Sequence, residues 1–415
     1  MRDLNKRRWV LFIILFTGLF LNSCKVSNDL APEINNYTYF VSNVLKSEVS
    51  GQYINSYLSL AQKIYPAISP LVSLAKNDIE VQRIIYNTKF QNKTIQASGL
   101  VYRPKAAGNY PVLCFQNGTN TLHSLAPSIV LTSDMLFMLE SVASMGFIVV
   151  IPDYIGFGAS SNLPHPYLHA ESTTQSILDM LWAMNEFSSG DKMVAKPTKD
   201  LFIYGYSQGG WATMLLQKEI ETKYSSEFNL LASSCGAGPY SLEYMNNYIS
   251  GKLDYPMPYF LTYVLNAYTI LSLVPNPLSD FIQAPYAAQI PGLYDGNKSG
   301  GTIDAALTTK MADLLTPDYK DQYATNPKFA ALNAAFIANS VAPWAMSTPT
   351  RLYHGAMDEE IPASMSQKTF EDLKAKGTPD SKVQLILLPG LGHSEGIVPV
   401  SILTILWFIE LKKSI

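Results

Sequence analysis

The apolar positions fall into short runs whose spacing changes along the chain. Val81 to Phe90 and Lys93 to Tyr102 alternate apolar and polar residues, which predicts two antiparallel strands joined at Gln91-Asn92. Uninterrupted apolar runs follow: Tyr110 to Phe115, Phe147 to Pro152, Leu201 to Tyr206 and Leu230 to Cys235. Helix-compatible segments separate them, at Ser133 to Ser144, Ser172 to Phe187 and Trp211 to Glu221. Continuous apolar strands alternating with helices imply a mostly parallel sheet covered on both faces. Residues 51–80, with helical spacing broken by Pro66 and Pro70, read as a helical extension ahead of it. From 240 to 347 the regular pattern stops, and short helical pieces are punctuated by Pro256, Pro258, Pro275, Pro277 and Pro285. A structureless loop of that length has no place in a compact domain, so the segment reads as an inserted, largely helical cap. The strand-helix pattern resumes with Thr350 to His354, Ser364 to Lys376, Val383 to Leu388 and a closing helix from Pro399 to Lys412. The core therefore spans 81–239 and 348–415.

The N-terminus has another character. A basic stretch to Arg8 precedes an apolar run, Trp9 to Leu21, too short for an ordinary membrane span and fitting a secretory signal over 1–23. The run ends in Leu21-Asn22-Ser23-Cys24, which resembles a bacterial lipobox, with a small residue before the cysteine and a branched apolar one three before it. That resemblance implies lipidation at Cys24, a polar tether over 24–50, and an exported protein anchored to a membrane of the cell envelope. Cys114 and Cys235 lie in apolar strands and are expected as buried free thiols. The formal charge of −3 leaves no basic footprint for nucleic acid. No His/Cys/carboxylate cluster has metal-ligand spacing, and no cofactor is expected. With 25 Tyr and 18 Phe, the chain can build a large core and line an apolar pocket.

Candidate chemistry gathers at the carboxyl ends of the parallel strands, where such sheets place ligands. Gly205-Tyr-Ser207-Gln-Gly209 ends one apolar run and opens a helix. Strand, Gly-x-Ser-x-Gly and helix in that order form the context of a nucleophile elbow, which lifts the serine hydroxyl clear of the sheet. A serine needs a base, and the base an orienting acid; on such a sheet both follow the serine in sequence. Of five histidines only His354 and His393 come after Ser207, and His354 ends the strand that should deliver the acid. His393, on the Gly-rich stretch after Leu388, is the candidate base. Asp358, at the tip of the loop after His354, is the candidate acid, with Glu359 and Glu360 as alternatives. Stabilising an oxyanion takes two aimed backbone N–H groups; Gln208 and Thr119 are the candidates.

These residues carry a resemblance. Gly205 to Gly210, Asp153-Tyr-Ile-Gly-Phe-Gly158, His165-Pro-Tyr167, Gln96 to Pro104, Leu352 to Asp358 and Gly392-His393 are similar to segments of secretory-lipase-like esterases of the α/β-hydrolase fold. The resemblance spans about residues 80–412 and departs at Asn117-Gly118, where relatives often carry His-Gly. It implies a serine hydrolase acting on carboxylic esters, with a lipid or other acylated ester as substrate. Two other readings stand beside it. A cap-type serine aminopeptidase would use the same fold and triad, and a non-catalytic binding lipoprotein would use the scaffold alone.

Overall fold

Gln91 and Asn92 take positive φ values of 47° and 61° and close the tight turn of the predicted hairpin. Its strands, β2 (Ile79–Phe90) and β3 (Lys93–Pro104), pair in unbroken antiparallel register from Ile79 opposite Pro104 to Phe90 opposite Lys93. The computed structural model describes residues 37–190 and 194–415. The remaining strands are β1 (Phe40–Val49), β4 (Gly108–Gln116), β5 (Ile148–Pro152), β6 (Ala195–Tyr206), β7 (Asn229–Gly236), β8 (Thr350–Gly355) and β9 (Val383–Leu388). They form one sheet in the order β1-β2-β3-β5-β4-β6-β7-β8-β9, parallel from β5 to β9 and antiparallel at the β1–β3 end.

Successive side chains of a strand point to opposite faces, so each apolar run feeds two cores. On one face Val112, Cys114, Ile148 and Val150 pack against α3 (Ala170–Ser188) and α4 (Gln208–Lys223). On the other face Leu113, Phe115, Val149 and Ile151 pack against α1 (Gly51–Ala61), α2 (Asp134–Ser144) and α9 (His393–Lys412). Cys114 and Cys235 are buried free thiols. Burial pushes the thiol of Cys235 up to about 12.

Between β7 and β8 the chain leaves the sheet and builds helices, among them α5 (Leu242–Ser250), α6 (Tyr259–Ile270) and α7 (Ala330–Ala338). α8 (Ala363–Ala375) follows β8.

Three boundaries differ from the sequence expectation. Pro66 and Pro70 sit in the first turn of the short helices Pro66–Ile68 and Ser69–Val72, where a missing N–H costs nothing, so they start helices instead of breaking one. The closing helix begins at His393, with Pro399 inside it, not at Pro399. The tether expected over 24–50 ends sooner, because Phe40–Val49 pairs with β2 as the edge strand β1. Most side chains of β1 face water, so no apolar periodicity announces it. The signal over 1–23 and Cys24 lie outside the described residues.

The entry to β1 is fixed by one carboxylate. Glu186 on α3 accepts the backbone N–H groups of Thr38, Tyr39 and Phe40 at 2.9, 2.8 and 2.7 Å. Glu186→Ala is expected to raise amide exchange in residues 37–49 by on the order of tenfold, the net effect of exchanging these three charge-assisted bonds for bonds to water. Exchange there equal to wild type would show that strand pairing alone holds the segment.

Candidate active site

Ser207 stands at the junction of β6 and α4 with φ 59° and ψ −125°, a conformation an L-residue rarely holds and which costs about 1–3 kcal/mol. Backbone bonds fix it on both sides: the Ser207 N–H donates to Gly236 O at 2.9 Å, and the Trp211 N–H to Ser207 O at 3.2 Å. The turn closes because glycines flank it. A Cβ on Gly209 would lie 2.1 Å from Gln116 O, and one on Gly205 would lie 2.3 Å from Gly209 O. Trp211, wholly buried, donates from Nε1 to Asn339 O at 3.0 Å and so ties α4 to the exit of the helical insertion.

The loops after β8 and β9 bring two side chains to Ser207. His393 Nε2 lies 3.0 Å from Ser207 Oγ, and His393 Nδ1 lies 2.6 Å from Asp358 Oδ2. A carboxylate only accepts, so Nδ1 carries the hydrogen and Nε2 is free to accept from the serine hydroxyl. The backbone N–H groups of Glu360 and Ile361 donate to Asp358 Oδ1 at 3.0 and 2.9 Å. Burial raises the Asp358 pKa, but donors from His354 and His393, with the charge of His393, outweigh it and hold the carboxyl down to about 2. Burial likewise lowers His393, yet the bond and charge of Asp358, with Glu360 and Glu395 nearby, leave its pKa above 6.5.

Of the alternative acids, Glu359 is exposed. Glu360 faces the other ring nitrogen, 3.8 Å from His393 Nε2, with its pKa raised mainly by burial. His354 is wholly buried behind Asp358. Its Nε2 donates to Ile361 O at 2.8 Å and lies 3.2 Å from Asp358 Oδ2, while Nδ1 meets Ser366 Oγ at 2.6 Å. Tyr206 donates its hydroxyl to His393 O at 2.8 Å and sets its ring 5.2 Å from the imidazole. Neither support was legible, since nothing in the spacing distinguishes a histidine that ends a strand from one that braces a carboxylate.

Gln208 and Thr119 are both held by one segment, His165-Pro166-Tyr167. His165 Nδ1 donates to Ile155 O at 2.7 Å, which leaves Nε2 as acceptor for the Gln208 side-chain amide at 3.3 Å. Burial pushes His165 down to about 4, so the ring is neutral near neutral pH. The Tyr167 hydroxyl bonds Thr119 Oγ1 at 2.9 Å. Tyr167 stacks on Tyr263 of α6, centroids 4.3 Å apart, and Tyr263 stacks on Tyr294 at 4.4 Å. The insertion is thereby pinned over the serine.

Between sheet and insertion lies a narrow cleft with Ser207 in its wall. Leu242, Met245, Ile249, Leu261, Val264 and Phe336 are among its apolar lining. Such an apolar lining suits a hydrocarbon chain. Among the described residues, no group of three His, Cys, Asp or Glu side chains is placed to hold a metal ion.

The family model described as secretory lipase matches residues 120–390. Among solved structures, a protein described as a hydrolase from Legionella pneumophila superposes with a TM-score of 0.79 at 21% identity, covering 90% of this chain and 98% of that one. The ligand-bound rice cell wall degrading esterase LipA from Xanthomonas oryzae gives 0.75 at 23% identity, covering 90% and 97%. Candida antarctica lipase A in its closed state gives 0.63 at 16%, covering 89% and 81%. No curated protein sequence matches the chain.

The opposing influences on His393 are separable. In wild type its imidazole should titrate above 6.5; in Asp358→Asn, where burial is kept and the paired charge lost, the midpoint should fall below the wild-type value. Nitrogen-15 NMR of the labelled ring reads both, and an unchanged midpoint would show that Asp358 does not set the charge of His393.

Proposed function

The chain belongs to the secretory lipase family and is an ester-cleaving hydrolase of the α/β-hydrolase fold, and from that premise we propose that it works through an acyl-enzyme on Ser207. The supporting observation is the hydrogen-bonded series Ser207 Oγ, His393 Nε2, His393 Nδ1, Asp358 Oδ2. In this reading Ser207 Oγ attacks the ester carbonyl while its proton passes to His393 Nε2. Asp358 keeps the ring in the Nδ1–H tautomer and stabilises the imidazolium that forms. The backbone N–H groups of Gln208 and Thr119 receive the oxyanion, with their side chains held by His165 and Tyr167. Collapse of the intermediate breaks the bond to the alcohol oxygen, which takes the proton from His393. Water then attacks the acyl group, giving a proton to the same nitrogen, and collapse of this second intermediate breaks the bond to Ser207 Oγ, which takes that proton back.

One observation favours a second reading. The Glu360 carboxylate beside His393 Nε2 would suit the ammonium group of an aminoacyl substrate, as a cap-type aminopeptidase requires. Acyl esters and aminoacyl amides matched in size separate the two.

Membership of the family implies export. We propose in addition that the mature chain starts at a lipidated Cys24, on the strength of Leu21-Asn22-Ser23-Cys24 after an apolar run, and that this anchors the enzyme to a membrane of the cell envelope. Residues between Cys24 and β1 would serve as the tether.

On the matched panel the esters should be the substrates, and Ser207→Ala should lower turnover by a factor on the order of 10⁶. Because His393 must be neutral to take the proton and its pKa is raised, kcat/KM should climb with pH through a midpoint above 6.5. Amide turnover exceeding ester turnover would favour the aminopeptidase; near-wild-type activity in Ser207→Ala would end the acyl-enzyme proposal. For the anchor, the full-length protein expressed in a bacterial host should partition with membranes and carry a lipid mass on Cys24, and Cys24→Ala should lose both. A soluble mature chain beginning elsewhere would contradict it.

A further inference from the structure

The cleft beside Ser207 is apolar except at one position. Tyr167 and Tyr255 also line it, but the Tyr167 hydroxyl is bonded to Thr119 and the Tyr255 hydroxyl donates to Glu360 O at 2.9 Å. The remaining polar side chain is that of Asn246, on the face of α5 that also presents Leu242, Met245 and Ile249. Asn246 is 2% exposed. Its Oδ1 accepts the hydroxyl of Tyr319, itself fully buried, and its Nδ2 has no partner. Turning the amide over would leave the Tyr319 phenol hydrogen without an acceptor, so the orientation with Nδ2 free is the satisfied one. Among the described residues, the other unpartnered buried side-chain atoms belong to residues that do not line the cleft.

The cleft can also be assigned to one half of the ester. In an acyl transfer the departing alcohol must lie against His393 Nε2, which protonates it. His393 is not among the side chains lining the cleft, whereas Ser207 and Tyr167, the partner of Thr119, are. An acyl chain carried on Ser207 Oγ can therefore run into the cleft.

We infer that the preferred acyl group is an aliphatic chain bearing an oxygen along its length, as a hydroxyl, ketone or ether, and that the Asn246 side-chain amide donates to that oxygen. The inference rests on the acyl-enzyme reading of Ser207. In the unliganded protein Nδ2 is already shut off from water and unpartnered, and a plain hydrocarbon chain leaves it so. An oxygen at the matching position supplies the bond, while an oxygen elsewhere is buried against leucine, methionine or valine and is penalised. The pocket thus selects for the position of the oxygen, not for polarity in general. Discrimination by a buried hydrogen-bonding group against the analogue that lacks the partner atom is the strong kind.

The test uses the p-nitrophenyl ester of a medium-length fatty acid and its ether isosteres, with successive methylenes replaced by oxygen. In wild type one position should exceed its neighbours in kcat/KM by about tenfold or more, and exceed the all-carbon chain as well. Asn246→Leu should abolish that maximum and make the plain chain the best substrate. Should Asn246→Leu fail to fold, Asn246→Asp keeps the acceptor for Tyr319 while removing the donor, and should also lose the maximum. Cleavage of the plain ester with a series flat or falling at every position would overturn the inference and show that Nδ2 stays unpartnered in the acyl complex. A positional maximum that survives both substitutions would overturn it too. If the folded wild-type protein cleaves none of these esters, the acyl-enzyme reading falls with it.

Discussion

The arrangement depends on the backbone at Ser207. A φ of 59° in a serine is uphill, and it persists only because the surrounding structure leaves no alternative. β6 enters the turn in parallel register with β4 on one side and β7 on the other, and α4 leaves it held to β7 and to the insertion. Gly205 and Gly209 let the strand and helix approach closer than any Cβ would permit. The strain thus rests on the rigid centre of the molecule, and the hydroxyl it lifts is aimed at the ends of β8 and β9. A serine in a relaxed conformation would leave His393 Nε2 without the hydroxyl it faces.

Around that fixed point, burial and charge are set against each other. Asp358 and His393 are both largely removed from water, which by itself would neutralise each of them. Converging donors reverse the effect at Asp358: two backbone N–H groups, His393, and His354 from behind. The charge kept there then lifts His393. The same economy of position governs the opposite side of the serine, where one three-residue segment reaches both Gln208 and Thr119 and stacks against α6. Movement of the insertion would therefore reach the expected oxyanion donors through Tyr167.

The elements positioning Ser207 were legible because they are locally encoded. Continuous apolar runs gave the parallel strands, and Gly-x-Ser-x-Gly between a strand and a helix gave the elbow. His393 could be nominated from chain order and its Gly-rich stretch, and Asp358 from its place at the tip of the loop after β8, with Glu359 and Glu360 left as alternatives. What escaped depends on contacts distant in the chain. β1 hides because its side chains face water and its pairing is made by backbone. His354 reads as the end of a strand, and its role toward Asp358 appears only when the following loop folds back over it. Pro399 mimics a helix start, yet the helix begins at His393, where Gly392 serves as its cap. The lone amide of Asn246 within an apolar cleft has no sequence signature at all.

Ester cleavage at this site requires Ser207 to be an activated nucleophile. Labelling the folded protein, without its first 23 residues, with a fluorophosphonate and locating the adduct by mass spectrometry tests this directly. One adduct is expected, on Ser207, formed rapidly near neutral pH and slowed as His393 becomes protonated. A folded protein that takes no adduct, or takes it on another residue, would rule out Ser207 as the activated nucleophile.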